Sequence, residues 1–247
     1  MTKIITITNL RENTAKTVTT AFVSHYWVLE GKRVLMIDFD ESGSLTRFFG
    51  SPKPASPFAT IMTLCDDETS YLAVENAVKV DEGLWLIGST STYFEDAIEK
   101  VNTSDSSFRE TLSNNGFDLV VIDTDSIPNK LTELSLSVSD HLLIPTTKDF
   151  VAFKKVLRTI EYAENVGFHV GEDTVSVLLT MTRGSIRETE DLENFSRQNL
   201  VLRTEIPAQI IRLLEAGITA FEYPRLSAKS RYRDAGYYIN KKIYPKR

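Results

Sequence analysis

Short apolar runs of strand length recur along the chain: Val34–Ile37, Leu84–Ile87, Leu119–Ile122, His141–Ile144 and Val175–Leu179. Runs without regular polar alternation mark strands covered on both faces, the situation inside a parallel sheet. Most are separated by amphipathic stretches such as Phe150 to Val166. Ahead of them, Lys3 to Asn9 alternates apolar and polar side chains, as a strand does. From about Lys16, the residues Ala21, Phe22, Val28 and Leu29 fall at helical spacing, and Gly31 stands where a helix would stop. A strand, a loop, a helix and a second strand therefore close a βαβ unit by residue 40. The pattern predicts an α/β fold, a doubly wound, mainly parallel sheet flanked by helices.

At 247 residues the chain suits a single domain spanning 1–247. Ser51 to Pro57 holds three prolines and reads as a loop inside that domain, and the Ser/Thr/Asn-rich stretch from Asn102 to Asn115 as partly a mobile surface loop. No stretch reaches the roughly 18 apolar residues a spanning helix needs, and the strand-like N-terminus lacks the apolar block of a signal peptide. A cytoplasmic protein without an integral membrane segment is expected. One cysteine, Cys65, and three scattered histidines (His25, His141, His169) argue against a disulfide, a zinc cage or an iron–sulfur centre within one chain. His25 and His141 are expected to pack or cap.

The formal charge of −6 conceals an asymmetry. From Arg225 to Arg247 eight basic residues stand against one acid, a net +7, which leaves −13 for the remainder. This basic helix or tail carries Lys229, Arg231, Arg233, Lys241, Lys242, Lys246 and Arg247, interleaved with Tyr232, Tyr237, Tyr238 and Tyr244. Such a face suits phosphates on DNA or an anionic membrane surface, and also a plain solvated terminal helix.

Chemistry concentrates at the C-terminal ends of the strands, where open α/β sheets bind ligands. Two apolar runs end in carboxylates, at Asp38-Phe39-Asp40 and at Asp123. Between the first strand and first helix lies Thr8-Asn-Leu-Arg-Glu-Asn-Thr-Ala-Lys-Thr17. A lysine and a hydroxyl residue opening a helix, with an aspartate closing a distant strand, form a P-loop arrangement. There, N–H groups at the helix start bind phosphate, the lysine adds a point charge, and the hydroxyl and aspartate support Mg²⁺.

These residues resemble the ParA/MinD family of deviant Walker-box ATPases. Arg11 to Val18 aligns without a gap to the family pattern K-G-G-V-G-K-T-T. Gly31 to Asp40 with Gly43, Phe117 to Asp123 followed by Leu142 to Pro145, and Glu205-Ile-Pro207 through Arg212 to Ala216 match further segments in order and spacing. The resemblance covers nearly the whole chain. It implies ATP and Mg²⁺ as cofactors, with Arg11, Asn13, Thr14, Ala15, Lys16, Thr17 and Val18 around the nucleotide and Pro207 lining the adenine pocket. Lys16 would be the phosphate-binding lysine, Thr17, Asp123 and Asp40 would support the metal, and Asp40 would orient attacking water. Implied partners are a second copy of the chain, nonspecific DNA and a ParB-like or other adaptor, with a location in the cytoplasm at the nucleoid.

All three family glycines are absent from the loop. Glu12 puts a carboxylate where phosphate would sit, Ala15 adds a methyl group, and Arg11 replaces the lysine that reaches across a nucleotide-sandwich dimer. Asp125 and Ser126 follow Asp123 where the family has paired prolines. Two readings follow: a weak ATPase that dimerises, binds DNA and segregates or positions cargo, or a nucleotide-independent pseudo-ATPase acting as a binding module. A lesser alternative is a MinD-like membrane-associated factor using Tyr237, Tyr238, Ile239, Ile243 and Tyr244 as an apolar face.

Overall fold

The structure, a computed structural model, describes residues 1–50, 77–89, 94–95, 98–99, 101, 107–182, 200–207 and 227–245. Eight strands form one sheet: β1 (Lys3–Ile7), β2 (Val34–Phe39), β3 (Val78–Asp81), β4 (Leu84–Ile87), β5 (Leu119–Thr124), β6 (His141–Thr146), β7 (Val175–Thr182) and β8 (Val201–Pro207). Their order across the sheet is β3-β4-β2-β5-β1-β6-β7-β8. Every pairing is parallel except β3 with β4. The expected architecture is therefore present, with one refinement. The first two strands are not neighbours, because β5 pairs with both and lies between them.

Adjacent residues on one strand serve opposite faces, as the two-residue period of a strand requires. Ile5 and Ile7 of β1 face α1 (Lys16–Leu29) and α6 (Ser227–Ile243), joined by Met36, Val121, Leu143 and Leu178. Ile4 packs with Leu35, Ile37, Val120 and Ile122 against α3 (Ser107–Ser113) and α4 (Lys130–Val138). Beyond them, α5 (Phe150–Asn165) covers β6 and β7 through Phe153, Val156 and Ala163. A short α2 (Ser44–Phe48) follows β2.

The edges explain what apolar runs alone miss. β3 is four residues long and largely exposed, and it turns into β4 through Gly83 at φ +76°. Part of the Ser/Thr/Asn-rich stretch expected to be loop is helix α3, because Phe108 and Leu112 are buried against the sheet. Ser51 to Pro57, Cys65, residues 102–106, Arg212 to Ala216, Arg225, Lys246 and Arg247 lie outside the described residues.

The C-terminal helix corrects two sequence expectations. Tyr232 is buried and stacks on Phe22 of α1 with centroids 4.6 Å apart, so it is core and offers nothing to DNA. Ile239 and Ile243 are also buried in the α1–α6 cluster, each contributing roughly 1.5–3 kcal/mol by leaving water. Of the five residues expected on a membrane-facing side, these two isoleucines are thus consumed internally, whereas Tyr237 is exposed. Gly236 allows the close approach: a Cβ there would overlap the Tyr26 ring and lie 2.9 Å from its Cβ. Among the described residues, no helix is long and apolar enough to cross a membrane.

Candidate phosphate-binding site

The loop from Thr8 to Ala15 joins β1 to α1 at the C-terminal edge of the sheet, and four neighbouring segments hold it. Asn9 Nδ2 donates to the Pro145 carbonyl at 2.8 Å, and the Leu10 N–H to Thr159 Oγ1 at 3.1 Å. Thr180 Oγ1 on β7 donates to the Thr14 carbonyl at 2.9 Å. Arg11 Nη1 reaches both carboxylate oxygens of Asp149, the residue that caps α5.

The glycine-free loop keeps a glycine-type backbone. Asn13 has φ 57°, and Ala15, immediately before α1, has φ 64° and ψ 34°. Asparagine tolerates the left-handed region through its short polar side chain, whereas alanine there costs roughly 1–2 kcal/mol. Glu12 is not among the left-handed residues.

Directly after Ala15, Lys16 is buried at the start of α1, and its Nζ donates to Ser126 Oγ at 2.6 Å. Burial lowers its pKa, while Asp123, Asp40, Asp125 and Glu12 act in the opposite direction. Asp123, at the end of β5, is fully buried, and neither of its oxygens makes a well-formed hydrogen bond among the described residues. The Thr17 hydroxyl lies near enough to favour its charged form, but does not complete a hydrogen bond of good geometry with it. Burial and the neighbouring Asp38 raise the Asp123 pKa well above the usual carboxylate range.

Asp38 and Asp40 separate into different roles. Asp38 is fully buried and accepts from the Thr46 N–H at 2.9 Å, the Thr46 hydroxyl at 2.6 Å and the Asp40 N–H at 3.2 Å, anchoring α2. Its burial lifts the pKa to about 6. Asp40 instead faces an open cleft of about 1030 Å³, at the upper end of ligand-site volumes. Asn13, Thr14, Ala15, Lys16, Thr17 and Val18 all border that cleft.

Several bordering residues had no signal in the sequence, among them Arg47 and Phe48 of α2, and Met181, left-handed at φ 53° where the β7–β8 register shifts. Arg47 is recognisable only once α2 is seen to fold back over the cleft. Its guanidinium bonds the Ser42 carbonyl and Ser44 Oγ.

One expected nucleotide residue stands apart. Arg11 borders a neighbouring groove and not the cleft. Pro207 closes β8 opposite Thr182. His141 is buried with both ring nitrogens engaged, by the Asp173 carbonyl and Ser176 Oγ at 3.1 Å each, and burial lowers its pKa to about 3. It packs, as expected.

On the basic helix, Arg231, Arg233 and Lys241 are exposed, with Lys241 lying 4.5 Å over the Tyr237 ring. Lys242 departs from the expected DNA-facing set. Its Nζ donates to the carbonyls of Glu172 at 2.7 Å and Val175 at 3.0 Å, tying α6 to the start of β7. Lys229 lies on α6.

Residues 2–173 match a protein family described as an AAA domain. Over 227 residues the chain is 30% identical to the sporulation initiation inhibitor protein Soj of Bacillus subtilis, covering 87% of this chain and 88% of that protein. The chain belongs to the ParA/MinD family of P-loop ATPases. A second family relative, the chromosome-partitioning ATPase Soj of Thermus thermophilus, is 25% identical over 217 residues, 86% of this chain and 83% of that one. In fold, the chain matches a plasmid partition protein from Borrelia burgdorferi bound to AMPPNP with a TM-score of 0.80 and 18% identity, covering 98% of this chain and 100% of that one.

Proposed function

We propose that this ParA/MinD relative is a weak, Mg-ATP-dependent segregation or positioning protein that dimerises on nucleotide, binds DNA nonspecifically and answers to an adaptor. The observation that carries the reading is the left-handed backbone at Asn13 and Ala15, at the mouth of the cleft and directly before the buried Lys16. A fold maintains a costly alanine conformation only where surrounding contacts impose it, and such strain gathers at binding sites. Lys16 and the first N–H groups of α1 would hold phosphate. The orphaned Asp123 carboxylate, Thr17 and Asp40 suit a hard cation. Among the described residues, no group of three His, Cys, Asp or Glu side chains could hold a metal alone. Mg²⁺ would therefore arrive with phosphate and water as its main ligands, supplying charge neutralisation during phosphoryl transfer. Arg231, Arg233 and Lys241, with Lys229, Lys246 and Arg247, make up the DNA surface in this reading.

The second reading, a nucleotide-independent binding module, is favoured by one specific feature. Glu12 and Asp125 stand beside Lys16 and already supply it with negative charge. Sedimentation of the protein with and without Mg-ATP tests the proposal. ATP-induced dimers lost in Arg11→Ala support it and assign Arg11 to the contact across the dimer. A species unchanged by nucleotide contradicts it.

A further inference from the structure

Apolar exposure is concentrated on one side of the molecule. Ile127 is 64% exposed, Phe150 56%, Val151 58% and Leu157 49%, four of the eight large apolar residues so exposed among the described residues. Three of them lie on the outer side of α5, whose inner side is buried in the core. Beside this helix runs a groove of about 710 Å³, bordered by Arg11, Ile127, Pro128, Lys155 and Arg158.

The charge of the surface is equally one-sided. Among the described residues, no carboxylate pairs with the Lys155 or Arg158 side chain, and Lys154 lies 4.4 Å over the Phe150 ring. The nearby acids include Glu12 on the groove wall, Asp149, which is occupied by Arg11, Asp125, whose Oδ1 accepts from the Ser126 and Ile127 N–H groups, and Glu161 one turn beyond Leu157. We propose that the outer face of α5 and the Lys155–Arg158 groove dock an acidic, amphipathic segment of a partner protein, with apolar side chains on Phe150, Val151 and Leu157 and carboxylates on the two cations. This deepens the adaptor part of the proposed function, rests on the reading that the protein acts with a partner, and is independent of nucleotide.

Other occupants fit less well. A two-fold contact centred on α5 would set Lys155 and Arg158 against their own equivalents, and like charges facing each other disfavour such a contact; the dimer contact assigned to Arg11 would run instead through the β1–α1 loop. Nucleic acid would satisfy the cations but leave the apolar side chains without a matching surface, and a concave groove receives side chains better than a flat bilayer does.

The test uses the full chain and a fluorescein-labelled synthetic peptide of about 16 residues, long enough for helix formation, with leucines and glutamates at helical spacing. Fluorescence anisotropy is expected to show binding of this peptide and none of its lysine-for-glutamate counterpart. Lys155→Glu/Arg158→Glu should weaken the acidic peptide at least about tenfold, equivalent to about 1.4 kcal/mol, and transfer binding to the lysine peptide. Phe150→Ser/Leu157→Ser, at exposed positions that spare the core, should weaken both pairings. No binding of the acidic peptide, or equal binding by the charge-reversed protein, overturns the proposal. So does self-association, DNA binding or phosphatidylglycerol vesicle binding that depends on these four residues while the peptide does not bind. Lys16→Ala should bind the peptide as the wild type does, so failure of nucleotide binding and failure of this surface are read separately.

Discussion

Arg11 Nη1 lies 2.9 Å from Asp149 Oδ1 and 3.0 Å from Oδ2, so the residue at the family's signature lysine position is held by a carboxylate of its own chain. Asp149 does two further things. It caps α5 by accepting from the Ala152 N–H at 3.0 Å, and it accepts from the Thr147 hydroxyl at 2.6 Å. Burial would raise its pKa, but Thr147, Arg11 and the Ala152 N–H together lower it.

The two partners are therefore unequal. The ion pair is part-exposed, at 32% and 44%, and is worth about 0–1 kcal/mol. A lost N-cap costs about 0.5–2 kcal/mol. Asp149→Ala should destabilise the protein more than Arg11→Ala does in urea denaturation at neutral pH. Because the folded pKa is depressed, this advantage exists above the unfolded pKa and fades as pH falls through the folded value. Equal effects of the two substitutions would mean that the ion pair, and not the cap, dominates.

Ala15→Gly should act opposite to the usual helix-region substitution. Relief of the left-handed alanine returns roughly 1–2 kcal/mol, against about 0.5–1 kcal/mol of extra chain entropy. Stability is expected to rise by up to about 1.5 kcal/mol in a thermal melt, with Mg-ATP affinity raised. A fall in stability would contradict the strained conformation.

Gly236→Ala should lower the melting temperature, since the new methyl group overlaps the Tyr26 ring. Overpacking of this kind costs typically about 1–3 kcal/mol. Combining it with Tyr26→Leu, which clears the ring, should recover part of the loss. An unchanged melt would show that α6 shifts freely against α1.

Asp38 predicts a pH signature. Its folded pKa of about 6 lies above the unfolded value, so folding favours the protonated form. The stability it provides is fully present below the unfolded pKa and is lost as pH rises through about 6. Asp38→Asn cannot ionise. Its stability relative to wild type should therefore increase between about pH 4 and pH 7, measured by denaturant titration; a difference flat across that range would place the raised carboxylate elsewhere.

Much of this fold is legible in the residues because burial writes a simple code. Strands covered on both faces become the apolar runs ending at Ile37, Ile87, Ile122, Ile144 and Leu179, and helix stops need residues such as Gly31, left-handed at φ 76°. The edge strand β3 escapes the code, since an exposed strand has no continuous apolar run. Lys16, Thr17, Asp40 and Asp123 announce themselves through spacing, and the structure gathers them at one end of the sheet, the first three bordering the cleft and Asp123 fully buried. Arg47, Thr180 and Met181 do not, because their roles arise from how α2 and the end of β7 fold back on the loop. Lys242 and Tyr232 err in the opposite direction: composition counts a lysine or tyrosine as surface, whereas packing ties Lys242 to two carbonyls and places Tyr232 beneath Phe22.

Titration calorimetry of Mg-ATP into the purified protein, alongside Lys16→Ala, tests the central claim most directly. The account predicts saturable, Mg²⁺-dependent binding to the wild type that disappears in the variant. Absence of heat from the wild type at millimolar ATP, or equal binding by Lys16→Ala, would contradict it.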